Sequence, residues 1–303
     1  MTASQECIYV PVIDYTIPFY IEDIRGSDNT VQIKKSGSSA PTLTIEKSTD
    51  GKTWETMGKT STTAIRATVP ANGKLYLRAS ATTWGTSASN YNYFNSVSGN
   101  FNVGGNINSL LYGSSFNGQT EFPSGVGTFT VASLFYNNTR IKSAEQMLLP
   151  ATTLANYCYN SMFYGCTSLT TAPELPATTL ANGCYGGMFQ DCTSLTTAPA
   201  LPATTLAERC YNSMFSGCTS LTSAPELPAT TLPQYCYYYM FWGCTNLNYI
   251  KCLATDISAS NCTNNWVQSV AASGTFVKDP NMTGWETGSN GIPSGWTVQD
   301  ASE

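Results

Sequence analysis

Apolar and polar positions alternate in short runs along the first hundred residues. IYVPVIDYTIPFYIEDI, NTVQIKK, TLTIEKS, TWETM, AIRATV and KLYLRA each read as a strand, with Gly, Ser and Asn between them. Asp50-Gly51, between TLTIEKS and TWETM, is a hairpin signal because tight turns of the favoured hand need positive φ. Ala71-Asn72-Gly73 marks a further turn. Six or seven such strands predict a small antiparallel β-sandwich over residues 1–100.

The pattern then becomes periodic. LPATTLANYCYNSMFYGCTSLTTAPE starts at Leu149, and near copies start at Leu175, Leu201 and Leu227, a period of 26. Cys158, Cys184, Cys210, Cys236 and Cys262 keep that interval, as do Cys166, Cys192, Cys218 and Cys244. Upstream, ASLFYNNTRIKSAEQMLLPATT aligns with two extra residues and puts Asn138 where a Cys falls elsewhere. Downstream, Cys262 and Trp266 keep register with Cys236 and Met240.

Within one unit, Cys158, Met162, Phe163 and Cys166 lie at i, i+4, i+5 and i+8, which predicts one apolar face of a short helix. Gly165 stands where a helix terminus takes positive φ. Leu169, Ala172 and Leu175 predict a short strand, limited by Pro173 and Pro176. The expected architecture is mixed β and α/β: a β-sandwich attachment domain (1–100), an N-terminal cap with a degenerate repeat (101–146), a leucine-rich-repeat solenoid of 26-residue units (147–272) and a C-terminal cap (273–303). The Phe163, Phe189, Phe215 and Phe241 column is its expected spine.

The unit resembles the BspA-like (Treponema-type) leucine-rich repeat, through Leu-Thr-x-Ala/Ile before the strand and x-Met-Phe-x-x-Cys-Thr-Ser-Leu at its close. The likeness covers about residues 130–270 and departs from the commoner length by a few residues around Pro-Ala-Thr-Thr-Leu. It implies a binding or adhesive surface protein of gut and oral Bacteroidetes, spirochaetes or protists. The repeats also look like ones encoded by phages of gut Bacteroidales. Ser48-Thr49-Asp50-Gly51-Lys52-Thr53-Trp54 is similar to the Asp-box hairpin of sialidases but is one residue short, and that box is a structural turn.

Composition removes several function classes. Lys plus Arg is 14 and Asp plus Glu is 19, a net charge of −5. That leaves no basic stripe for phosphates, so no nucleic-acid partner is expected. The chain has 0 His, which excludes His general bases, His-containing triads and His-ligated metals. No apolar run approaches the ~18 residues of a membrane span, so no membrane insertion is expected. The start, MTASQECIYVPVIDY, carries neither a basic nor a long apolar leader segment.

The 11 Cys are too sparse for a disulfide scaffold. On a continuous helix an i, i+8 pair stands about 12 Å apart, and neighbouring helices at about 8–10 Å exceed the ~7 Å Cα limit for a disulfide. Buried core ladders are the expectation for both columns, with no metal and no cofactor; Cys7 and Cys252 belong to neither column. Glu174 and Glu226 hold equivalent places two coils apart, roughly 9–10 Å at the inter-strand spacing, near the upper limit for an inverting glycosidase pair. Repetition alone generates that spacing, and no catalytic residue is assigned.

The repeats differ where they face away from the Cys columns. Tyr157, Gly183, Arg209 and Tyr235 are equivalent, as are Asn160, Gly186, Asn212 and Tyr238. The other two sets are Ser161, Gly187, Ser213, Tyr239 and Tyr164, Gln190, Ser216, Trp242. Tyr235, Tyr238, Tyr239 and Trp242 therefore share one predicted face of the last full unit. With Tyr157 and Tyr164 they form the candidate binding site, since clustered exposed aromatics mark contact surfaces. The competing reading is that the C-terminal cap, with Trp285 and Trp296, packs over them. For Trp84 and Tyr91-Asn92-Tyr93-Phe94, junction packing is expected.

These features point to a non-enzymatic recognition protein. A virion or cell-surface protein would hold the β domain, and a host surface protein or glycan would meet the solenoid. A phage virion appendage is the first setting, since virions assemble without a leader, and such an appendage implies a homotrimer. A bacterial surface adhesin is the alternative, and a polysaccharide depolymerase a remote one.

Overall fold

The structure, a computed structural model, describes residues 13–95 and 98–302. Cys7 and the beginning of the first expected strand lie outside the described residues. Strands β1 (Tyr20–Asp23), β2 (Asn29–Lys35), β3 (Thr44–Ser48), β4 (Glu55–Lys59), β5 (Ile65–Val69), β6 (Lys74–Ala79), β7 (Gly85–Ser87), β8 (Asn90–Asn95) and β9 (Phe101–Asn106) come first. One short helix, α1 (Ser109–Tyr112), precedes β10 (Ile141–Leu148), and β11 (Tyr249–Cys252), β12 (Thr275–Lys278) and β13 (Thr297–Asp300) follow the repeats.

The mixed α/β fold expected from the sequence is not the one observed. The chain is 27% strand and 2% helix, with three sheets, none of which forms a solenoid. One sheet has the order β10-β9-β1-β6-β3-β4, a second β5-β2-β8-β7, and a third β11-β12-β13. The first is not purely antiparallel, because β10 pairs parallel with β9, and both strands lie beyond residue 100.

From 149 to 248 the described chain contains neither helix nor strand. Tyr157, Ser161 and Gly165 have φ of 53°, 53° and 68°, and a right-handed helix requires negative φ at each of them. The chain here runs as successive turns of four residues. N–H groups of Cys158, Asn160, Met162, Tyr164 and Cys166 donate three residues back, to Ala155, Tyr157, Tyr159, Ser161 and Phe163. The alternate N–H groups, of Tyr157, Tyr159, Ser161, Phe163 and Gly165, donate 25 residues ahead, to the carbonyls of Asn182, Cys184, Gly186, Met188 and Gln190. Each coil is thus bonded to the next, and every N–H from Tyr157 to Cys166 is paired. An apolar spacing of i, i+4, i+5 and i+8 suits this ribbon as well as it suits a helix, which is why the periodicity misled.

The expected strand in each unit is absent for a different reason. Around Thr171 and Thr197 there are only isolated parallel bridges, Ser143 to Thr171 and Thr171 to Thr197. Proline has no N–H to give a ladder, and Pro173, Pro199 and Pro225 recur in the first three units. Glu145 and Lys251 hold that place at either end, and there real strands form, β10 and β11.

Two ring columns fill the coils. Phe135, Phe163, Phe189, Phe215 and Phe241 stack with centroids 5.1, 5.6, 5.7 and 5.8 Å apart. Tyr159, Tyr185, Tyr211 and Tyr237 stack beside them at 5.7, 6.0 and 6.2 Å. The Phe column continues through Phe94 to Trp84 in the N-terminal sheets, at 5.3 and 6.0 Å, so the core is continuous. At the other end both columns meet Trp266, on which Trp285 stacks at 5.6 Å. The Tyr column was not anticipated, because a helix cannot turn both Cys158 and Tyr159 fully into one narrow seam, whereas a turn ribbon can.

Candidate functional site

Because each coil is a run of four-residue turns, its side chains leave in pairs. Cys158 with Tyr159, and Met162 with Phe163, point inward and are buried. Asn160 with Ser161 alternates with them on the outside and is half-buried. The variable positions singled out in the sequence are these outer corners. No helical face brings Tyr235, Tyr238, Tyr239 and Trp242 together; successive corners of one ribbon do.

The four rings touch in series. Tyr235 and Tyr238 lie 5.4 Å apart, Tyr238 and Tyr239 4.4 Å, and Tyr239 and Trp242 6.3 Å, each pair edge to face. The Arg209 guanidinium sits 4.5 Å over the Tyr235 ring, and Asn265 Nδ2 donates to the Tyr239 hydroxyl at 3.2 Å. Burial and the neighbouring Tyr239 phenol push the Tyr238 phenol up. Trp242 is 42% exposed.

The two tryptophans of the C-terminal segment pack at the end of the interior. Trp285 stacks on Trp266, and Trp296 Nε1 donates to the Ala271 carbonyl at 2.7 Å, so both close the end of the interior. Trp285 and Trp296 therefore take their ring and hydrogen-bond partners elsewhere than on the ladder.

Tyr157 and Tyr164 stand three coils away and belong to a second aromatic group. Tyr157 stacks on Phe129 at 4.8 Å, and Tyr164 on Tyr136 at 4.7 Å. Tyr136 continues to Tyr91 at 6.0 Å on the neighbouring sheet, and Tyr91 in turn to Tyr93 at 5.5 Å, so these junction aromatics adjoin the same group. Burial and the adjacent Asp191 carboxylate push the Tyr164 phenol up.

Between the two groups lies an open trough of about 260 Å³, floored by Gly183, Gly186 and Gly187. The Tyr157 ring lies where a side chain on Gly183 would go, and Asn160 Nδ2 would lie 2.7 Å from a Cβ on Gly186. Asn160, Gln190, Arg209 and Asn212 ring the floor with amides and one guanidinium. Across three coil steps, at the ~4.8 Å spacing of hydrogen-bonded neighbours, the aromatic groups stand roughly 14 Å apart. The trough was not assigned from sequence, although the run Gly183-Cys184-Tyr185-Gly186-Gly187 signals it.

Other candidate chemistry takes no support from its surroundings. Cys158 to Cys262 are free and buried, and among the described residues no group of three or more Cys, Asp or Glu is placed to hold a metal. The thiols of Cys166, Cys192, Cys218 and Cys244 donate to the carbonyls of Phe135, Phe163, Phe189 and Phe215 at 3.0–3.2 Å. Glu226 pairs with Lys251 at 3.0 Å, while Glu174 lines a groove with Pro173 and Pro199. Among the described residues no helix is long and apolar enough to cross a membrane.

Comparison with protein-family models, with curated proteins and with solved structures returns no match to this chain.

Proposed function

We propose that this chain is a non-enzymatic recognition protein whose outer coil face binds a surface glycan. The observation that carries the reading is the ladder Tyr235, Tyr238, Tyr239 and Trp242 beside a glycine-floored polar trough. Aromatic rings with a polar edge stack on the apolar faces of sugar rings, and planar amides and Arg209 match hydroxyl groups. The span of roughly 14 Å between the two aromatic groups takes a short oligosaccharide. In this reading the N-terminal sheets attach the recognition face to a larger particle. A virion appendage meeting its host is the setting we assign, with a bacterial adhesin using the same face as the alternative.

Retention on immobilised host-surface polysaccharide, compared with Tyr238→Ala/Trp242→Ala, tests the binding. Loss of retention at an unchanged melting temperature supports the reading; equal retention of both proteins refutes it. Quantitative mass spectrometry of purified phage particles beside host outer-membrane fractions tests the setting, since only a virion component is recovered stoichiometrically with particles.

A further inference from the structure

The ladder of coils has one unpaired end. At its start the first coil bridges to β10, β10 is bonded to β9, and β9 to β1, so the N-terminal sheets occupy that edge. At its finish Trp285 and Trp296 close the interior, but β13 is the outermost strand of β11-β12-β13, and nothing among the described residues pairs with its outer side. Thr297 N–H donates to the Gly274 carbonyl and Ala301 N–H to the Lys278 carbonyl, at 2.9 and 2.8 Å. A parallel strand bonds to its neighbour at every second residue, so the N–H and C=O groups of Val298 and Asp300 face outward.

The side-chain row at this edge is also incomplete. Register sets Ile250, Phe276 and Val298 in line on the inner face of the sheet. Ile250 and Phe276 are fully buried, whereas Val298 is 45% exposed. The other sheet edges carry protection against pairing that β13 lacks. Strand β4 pairs through a register shift at Ile45/Glu46 and carries Glu55 and Lys59, β5 carries Arg66 and runs into Pro70, and β7 has only 3 residues. Strand β13 pairs in unbroken register and has neither Pro nor Lys. Its one charge, Asp300, is taken up by Lys278 at 2.6 Å.

We infer that β13 is a docking edge for a second copy of this chain, whose own β13 pairs with it antiparallel about a two-fold axis at Val298. Facing residues share one side of a sheet, so Val298 must meet an inner-row residue of the second copy. Asp300 would set a carboxylate against it; the second copy's Val298 covers it. In that register each Val298 N–H donates to the other's carbonyl, Thr297 faces Gln299, and no like charges are opposed. A head-to-tail filament is barred, because β9 and β1 occupy the edge it would need, and a self-complementary contact closes at two copies. So small a contact makes a weak dimer, and it leaves the N-terminal sheets free.

Sedimentation velocity of the full chain from about 1 µM to about 1 mM should show monomer passing to dimer as concentration rises. Val298→Lys changes an exposed side chain, so it should leave the melting temperature unchanged while weakening association about tenfold or more. Val298→Cys should give a disulfide-linked dimer with diamide as oxidant, because facing Cα atoms about 5.5 Å apart lie within disulfide reach. Thr297→Cys, offset from its own counterpart, should link no more than the parent chain, whose native thiols set the background. A chain that stays monomeric throughout overturns the inference. So does association that Val298→Lys leaves unchanged, or a Val298→Cys chain that links no better than Thr297→Cys.

Discussion

Tyr235 and Gly183 hold the same left-handed backbone two coils apart, with φ of 58° and 61°. The ribbon demands this conformation at every such corner, and glycine adopts it without penalty. An L-residue carries about 1–2 kcal/mol there. The second coil meets the demand with Gly183 and Gly187, the fourth with Tyr235 and Tyr239, and the difference in sequence becomes a trough beside an aromatic wall.

The first prediction follows from that pair. In Tyr239→Gly, relief of the left-handed conformation offsets the lost edge contacts to Tyr238 and Trp242, each worth about 0.5–1.5 kcal/mol. Urea midpoints of variant and parent should therefore agree to within about 1 kcal/mol, while retention on polysaccharide falls. A large drop in stability with binding intact would assign Tyr239 to packing.

The ring spine should be the least forgiving part of the interior. Phe215 is fully buried, with Phe189 and Phe241 stacked on its two faces at 5.7 and 5.8 Å. Phe215→Ala should lose about 3–5 kcal/mol, read as a shift of the chemical-denaturation midpoint. A loss under about 1 kcal/mol would mean that neighbouring coils close the gap.

Alkali should unfold the coils sharply. Burial pushes the Cys184, Cys244 and Cys252 thiols up to about 12, and holds those of Cys158, Cys192, Cys210 and Cys218 well above the ordinary range. The unfolded chain releases these protons near pH ~8.5, the folded chain much later. Their contribution is thus fully present below that pH and is lost as pH rises towards the folded values. Each thiol takes away about 1 kcal/mol per pH unit, and seven together reach the scale of a domain's whole stability. Circular dichroism should show cooperative unfolding between about pH 9 and 10; a chain unchanged at about pH 11 would contradict this burial.

Repeat number should be adjustable. The bonds between successive full coils repeat at one offset, so a further copy of the 26 residues from Leu201 to Glu226 offers each neighbour the surface it already meets. Inserted after Glu226, it should leave the far-ultraviolet spectrum per residue unchanged and hold or raise the melting temperature, as nearest-neighbour stacking requires. A drop in melting temperature would show that the end segments are matched to this number of coils.

The interval of 26, the inward Cys, Met and Phe columns, the variable outer positions and the Asp50 turn could all be read from residue types alone. Those features depend on local chemistry and on repetition, which a linear chain displays. What fills each coil could not be read. Apolar residues four and five apart suit a helix or a ribbon of turns equally, and the choice rests on whether alternate N–H groups find carbonyls 25 residues away. That is a contact between coils, so only the tertiary structure decides it. The same contact forces Tyr235 and Tyr239 into left-handed corners, aligns their rings with Trp242, and sets the glycines of the second coil beneath the aromatic walls. Sequence alone determined which residues repeat and which vary; stacking decided that the varying ones share a single surface, because backbone bonds between coils fix the corners and the corners fix where side chains leave.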